Sequence, residues 1–293
     1  MTGAGVLVPL EFAANILQML RANLVFTSPG ADGAINGPQV VDMQSQVHYV
    51  PTWTGDGGGV TSYVPENTAM TPGTATLGRA TLTAYTMANV TLASRQLIDD
   101  TNQSGGLASL IESNLAAAMA RGMDNSALYG TGTGQPAGIL TSAYSGSVQS
   151  VSMGTNGAAP TNYDQMSQAV QKVQVANGEP TVIATNPQVY GTYSRLNAST
   201  YGKYWDVPQN VGDLWPPRYS TAFTATETQG SSNAASSALV MNANRVILGL
   251  RQGFQVMIAD QRWIDALQVG FVSFLRHDWN FPYSAAMARS REF

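Results

Sequence analysis

Residues 81–92 alternate with period two. Leu82, Ala84, Ala88, Val90 and Leu92 share one parity, and Thr81, Thr83, Asn89 and Thr91 share the other. That pattern predicts a strand with one apolar and one polar face. Residues 46–53 alternate more weakly, Val47, Tyr49 and Pro51 against His48, Val50 and Thr52, and Pro51 favours a sheet edge. Between the two lie Gly55-Asp56-Gly57-Gly58-Gly59, a short β-prone stretch at 60–64 and a polar stretch at 65–78. The strands therefore bracket a long, polar, glycine-rich tip. A hairpin of this length can hardly bury its own tip, and long two-stranded ribbons are marginal alone, so the ribbon is expected to lie on another surface.

Helical spacing appears at Phe12, Ile16, Met19, Leu20 and Leu24, predicting a first helix over residues 9–24. Residues 93–100 close a strand. A long amphipathic pattern then runs from Leu107 to about Tyr129, with Ser104 as a candidate cap and Leu107, Leu110, Ile111, Leu115, Ala118, Met119, Met123 and Ala127 as its stripe. A helix of that extent spans roughly 35 Å. The glycine-rich residues 130–138 end it. Further on, Thr161-Asn162-Tyr163-Asp164 has capping-box form before a helix that stops at Gly178-Glu179-Pro180. Residues 181–185 read as a short buried strand, and Asn186-Pro187 as the cap and first position of another helix. Strands are expected at 219–224, 238–241, 246–250, 254–259 and 268–275, with an exposed loop at 230–237. The fold class is α+β, a sheet with helices on its faces.

Composition adds one unusual feature. Only 11% of the 293 residues are charged, against roughly 25% in typical soluble domains. Burial against other subunits explains this, because charged residues are depleted from interface cores; a surface rich in Thr, Ser, Asn and Gln is the alternative. The net charge is −4, and Lys172 and Lys203 are the only lysines, which argues against tight sequence-independent DNA binding. There is no cysteine, which rules out disulfides and thiolate metal sites. No apolar run approaches the roughly 20 residues of a membrane span, and no signal peptide is expected.

Strand end, long helix and glycine-rich exit, in the order and spacing of residues 93–140, resemble the core of the HK97-type major capsid protein family of tailed bacteriophages. Gly5-Val6-Leu7-Val8-Pro9 is similar to the segment that opens the mature subunit. Residues 46–92 resemble the extended E-loop β-hairpin, Leu107 to Tyr129 the long spine helix of the peripheral (P) domain, and 181–196 the strand and Asn-Pro helix of the axial (A) domain. Residues 268–284 resemble the closing strand, with Pro282 in its usual terminal context. Each motif alone is weak; five in order are specific. The resemblance implies an N-terminal arm and first helix at 1–45, an E-loop at 46–92, a P-domain at 93–160, mainly A-domain at 161–250, and a return to the P-domain at 251–293.

The implied function is that of a major capsid (head) protein. Pentamers and hexamers would close an icosahedral shell around double-stranded DNA, without sequence-specific binding. Portal, scaffold or protease, and decoration proteins are implied as further partners, with assembly in the host cytoplasm, residence in the virion and no membrane partner. An encapsulin-like nanocompartment enclosing cargo enzymes is the alternative. The family's type member joins subunits by lysine-to-asparagine isopeptide bonds. This chain has no lysine before Lys172 and no asparagine between Arg245 and Trp279, so a shell held by non-covalent contacts is expected. The similarity begins within a few residues of Met1, so either the scaffold is a separate protein or the numbering is that of a cleaved or truncated product.

Enzymatic constellations are poor, and no catalytic, cofactor or metal site is expected. His48 lies on an edge strand, and His277 in Arg276-His277-Asp278-Trp279 reads as a surface ion pair. Asp99-Asp100 suits capping or a salt bridge better than acid-base chemistry. Residues 130–138 lack the Lys-Ser/Thr ending of a phosphate loop and follow a helix rather than precede one. The residues of interest are therefore the subunit-interface candidates of the E-loop. Glu66 and Arg79 either pair with charges on a neighbour, fixing its register, or are solvated. Trp53 and Tyr63 either anchor the ribbon on a neighbour or pack across their own hairpin.

Overall fold

The computed structural model describes residues 26, 37–55, 63, 65–69, 76–96, 107–141, 143, 144, 146–196 and 206–292. The expected first helix at 9–24, Ser104 and the Asp99-Asp100 pair lie outside these.

The strands are β1 (Gln39–Asp42), β2 (Val47–Gly55), β3 (Thr76–Thr83), β4 (Tyr85–Ser94), β5 (Gln149–Val151), β6 (Val182–Thr185), β7 (Arg218–Tyr219), β8 (Glu227–Gln229), β9 (Ser232–Met241), β10 (Ile247–Ala259), β11 (Gln268–Asn280) and β12 (Ala288–Glu292). The helices are α1 (Leu107–Tyr129), α2 (Asp164–Val175), α3 (Pro187–Ser194) and the single turn α4 (Gln209–Gly212). A four-stranded sheet runs β1-β10-β11-β4, and a second runs β5-β12-β9-β6-β7 with β8 beside β9. The ribbon β2-β3 stands apart as a two-stranded sheet.

Helix α1 covers the residues that the apolar spacing predicts. One apolar cluster joins its Leu115, Met119, Met123 and Leu128 to Phe254, Phe271, Leu275 and Trp279 of the first sheet and to Val182, Ala184, Leu239 and Met241 of the second. The helix therefore lies between both sheets. In its last three turns Arg121 and Asn125 are exposed while Met119, Ala120, Met123, Ala127 and Leu128 are buried. Gly122 lets it approach β4, since a Cβ there would sit 2.9 Å from Met87 Sδ. Phe26 is fully buried in the same cluster, its ring 5.5 Å from that of Trp279.

The second sheet is buried on both faces, so β6 is apolar without alternation. Val182 and Ala184 face α1, whereas Ile183, Ala238 and Val240 face a second cluster with Met166, Val170 and Val173 of α2 and Val189 and Tyr193 of α3. Asn186 caps α3, accepting from Gln188 N at 2.8 Å. No capping box forms at α2; its cap position is Tyr163, without a side-chain bond, and Asn162 instead accepts from Asp164 N.

Five further expectations change. The strand expected at 219–224 is only the two-residue β7, Arg218–Tyr219, with turns and bends after it. Residues 81–92 are not one strand: the chain breaks at Ala84, β3 pairing with β2 and β4 with β11. The strand over 93–100 ends at Ser94, with Arg95 and Gln96 helical. The expected loop at 230–237 is instead the β8-β9 hairpin, turning at Gly230 (φ 59°), with Ser236 and Ser237 buried. The separate strands at 246–250 and 254–259 are one bulged strand, β10.

Candidate assembly surface

The ribbon exposes much of its apolar surface. Tyr49, Trp53 and Leu77 are exposed, and so is Tyr63 beyond it. Trp53 stands opposite Leu77, and the Arg79 guanidinium lies 4.8 Å from the centroid of the Tyr49 ring. Glu66 is exposed. Trp53 and Arg79 sit on the ribbon, Tyr63 and Glu66 in the chain between its two strands, and all four are exposed.

The root of the limb lies across one face of the first sheet. Leu82 and Ala84 form a small cluster with Met43, Ala80 and Ile247. A Cβ on Gly249 would come 3.1 Å from a Leu82 methyl, which places that face beneath β3. At the far end, Trp263 covers Gly270, where a Cβ would lie 2.1 Å from its ring. Between these covers the face is partly exposed. Strand alternation puts Ala88, Val90 and Leu92 of β4, Val272 and Phe274 of β11, and Gln255 and Met257 of β10 on it, in register with one another. Val90, Leu92 and Met257 are 49%, 44% and 49% exposed. The apolar parity of β4 therefore points away from its own body, and the Asn89/Thr91 parity points inward. Sequence reasoning finds the apolar face but not that the protomer leaves it partly exposed.

His277 and Asp278 do not form a surface ion pair. They are 1% and 6% exposed, because β11 is an inner strand of its sheet with α1 on one face and the limb root on the other. His277 Nε2 lies 3.3 Å from Ser126 Oγ, while Nδ1 has no partner among the described residues. A serine beside a histidine invites comparison with a nucleophile and base, but this pair is sealed in the core. Burial lowers the His277 pKa to about 4 from 6.5. Burial raises the Asp278 pKa to about 6 from 3.8, although two backbone N–H groups favour its charged form.

These shifts act on stability in opposite directions. The folded state holds His277 neutral, so that contribution is complete above pH 6.5 and is lost as pH falls toward 4. The folded state holds a proton on Asp278 more tightly than the unfolded chain does, so stability is gained as pH falls through 6 toward 3.8. His277→Gln removes only the first, so relative to wild type the variant should gain about 2–3 kcal/mol between about pH 7 and about pH 4.5. Urea midpoints of unassembled subunits at both pH values measure this; parallel wild-type and variant profiles would refute it.

A buried polar network ties α1 to the second sheet. Glu227 Oε1 accepts from Tyr129 Oη at 2.6 Å, and Oε2 accepts from Ser237 Oγ at 2.5 Å and from Arg289 Nη2 at 2.7 Å. Arg289 also donates from Nε to Ser237 Oγ and from Nη1 to Leu140 O. Burial, then the Glu227 charge, pushes the Tyr129 hydroxyl upward. Nothing in the local sequence links residues this far apart.

Among the described residues no cluster of His, Cys, Asp and Glu could hold a metal ion, and no helix is long and apolar enough to cross a membrane.

An α+β body with a projecting ribbon and a partly exposed apolar sheet face defines a subunit shaped to associate with others. The model of the phage capsid family matches residues 4–288, and the chain belongs to that family. Solved structures share the fold. The capsid of an empty GTA particle is 16% identical, with TM-score 0.68, over 100% of this chain and 94% of that one. The capsid of a native GTA particle is 15% identical, with TM-score 0.62, over the same shares. The structure from Mycobacterium phage Adephagia is 16% identical, with TM-score 0.59, over 82% of this chain and 80% of that one. No curated protein matches. The protein is a major capsid protein, a structural subunit that associates with itself as pentamers and hexamers in the icosahedral shell of the virion.

Proposed function

We propose that the shell encloses double-stranded DNA and is held by non-covalent contacts alone, formed where the β2-β3 ribbon of one subunit lies on the partly exposed sheet face of the next. In this reading the ribbon is the E-loop, α1 the spine helix of the P-domain, and the second sheet with α2 and α3 the core of the A-domain. Trp53 and Tyr63 anchor the ribbon, and Glu66 and Arg79 set its register. The observation that carries the reading is the exposed apolar parity of β4, flanked by a root that already covers the same face within the protomer. Like surfaces meet: Tyr49, Trp53 and Leu77 on the limb, Val90, Leu92 and Met257 on the face. Such contacts contribute about 25 cal/mol per Å² of apolar area. They are repeated around the shell, so the stability is collective. Portal, scaffold or protease, and decoration proteins complete the particle, which assembles in the host cytoplasm.

The contents of purified particles test the enclosed cargo. Nuclease-protected double-stranded DNA is expected. Particles that instead hold a peptide-tagged enzyme and no DNA would point to a nanocompartment and overturn the reading.

A further inference from the structure

Among the described residues, strand β3 pairs with β2 along one edge only. Ala84 N bonds Gln46 O on that side, so the neighbouring Thr83 N–H points to the other side. An edge strand leaves such groups unpaired, and a buried one needs a partner. Here the partners are side chains of β11. Asp278 Oδ2 accepts from Thr83 N at 2.6 Å, and Asn280 Nδ2 donates to Thr81 O at 3.0 Å. Both rise from the same face of β11, two residues apart, and both meet β3 two residues apart. Asp278 is further fixed by Trp279 N, which donates to Oδ1 at 2.8 Å. Two side chains thus occupy the place of a missing strand at the point where the chain passes from limb to body.

We infer that Asp278 and Asn280 are positioning residues for assembly, a side-chain clamp on the backbone of β3 that sets the direction in which the ribbon leaves the body. The inference rests on the ribbon being the limb that contacts a neighbour. Both oxygens of Asp278 are used as acceptors, so a neutral side chain cannot reproduce the clamp: Asp278→Asn turns one acceptor into a donor facing an N–H. Among the described residues, the surroundings of the carboxylate hold few competing groups. Tyr144, from the segment after α1, feels its charge. Arg276 lies on the same face of β11, and His277 on the opposite one. Gly249 of β10 stands across from it with Val41 of β1 beyond, and β3 presents Thr81 and Thr83.

Amide exchange of Thr83 in unassembled wild-type subunits, corrected for intrinsic rates, is the first measurement. Local release of Thr83 with Asp278 still buried removes a bond that favours the carboxylate, so proton uptake favours release and protection should fall as pH drops through about 6; protection that stays flat or rises between about pH 7.5 and about pH 5 overturns the clamp. Asp278→Asn and Asn280→Ala, combined, are the second. Melting curves should show a folded body, exchange should be faster at residues 81–83, and particles should be open or heterogeneous in diameter. Normal closed shells from this variant overturn the inference. A chain lacking residues 55–73 separates the two ideas. If it assembles normally, the limb reading itself fails; if it does not, while the clamp variant assembles normally, only the clamp is wrong.

Discussion

A chain lacking residues 55–73, with Thr54 joined to Thr74, is expected to fold and yet form no shells. The paired part of the ribbon and its root survive the deletion: Val47 still faces Thr83, and Leu82 stays under Met43 and Ile247. What disappears is the tip, including the exposed Tyr63 and Glu66. Its counterpart on the other side of the contact is Val90→Asp, alone or with Met257→Asp. Both positions are about half exposed in the protomer, so an aspartate there stays hydrated and leaves folding intact. Under a neighbour's ribbon the same carboxylate is dehydrated without a partner, at a cost of about 3 kcal/mol. That weakens each contact roughly a hundredfold, and the loss recurs at every copy. Sedimentation velocity and negative-stain microscopy should find small species only, with melting curves near wild type. Closed shells from either variant would remove the ribbon-on-sheet contact from consideration.

Much of this subunit is legible from local pattern. The ends of α1 follow from apolar spacing and the glycines beyond Tyr129, and α3 begins where Asn186-Pro187 requires. These signals are short-range, so they survive without knowledge of the rest of the chain. The break at Ala84 is different. Alternation runs through it without a glycine or proline, and only the change of partner from β2 to β11 divides the two strands. The serines and alanines of 232–237 have the composition of a loop, yet they form a strand because β8 pairs with them on one side and β12 on the other. Arg276-His277-Asp278 has the composition of a surface. His277 and Asp278 are buried because β11 receives α1 from one side and the limb root from the other. The pattern at Ala88, Val90 and Leu92 is the most telling case. It signals burial that the protomer does not provide and that the proposed neighbour would.

Arg289→Met should be among the most destabilising single substitutions in the body. The guanidinium serves Glu227, Ser237 and Leu140 at once, and the two charged side chains are 13% and 7% exposed. Removing it leaves the Glu227 carboxylate buried with only the hydroxyls of Tyr129 and Ser237. Breaking a buried pair in this way costs about 3–5 kcal/mol, far more than the intact pair contributes over an apolar replacement. Adding Glu227→Gln removes the stranded charge, so the double variant should recover a large part of the loss, with a coupling of about 2 kcal/mol in a double-mutant cycle. The network joins the end of α1 to β8, β9 and β12, so the loss should appear as earlier unfolding of the second sheet against the helix. Hydrogen exchange on β9 reports that directly. A single variant that loses less than about 1 kcal/mol would mean that the pair is solvated and that apolar packing alone joins helix and sheet.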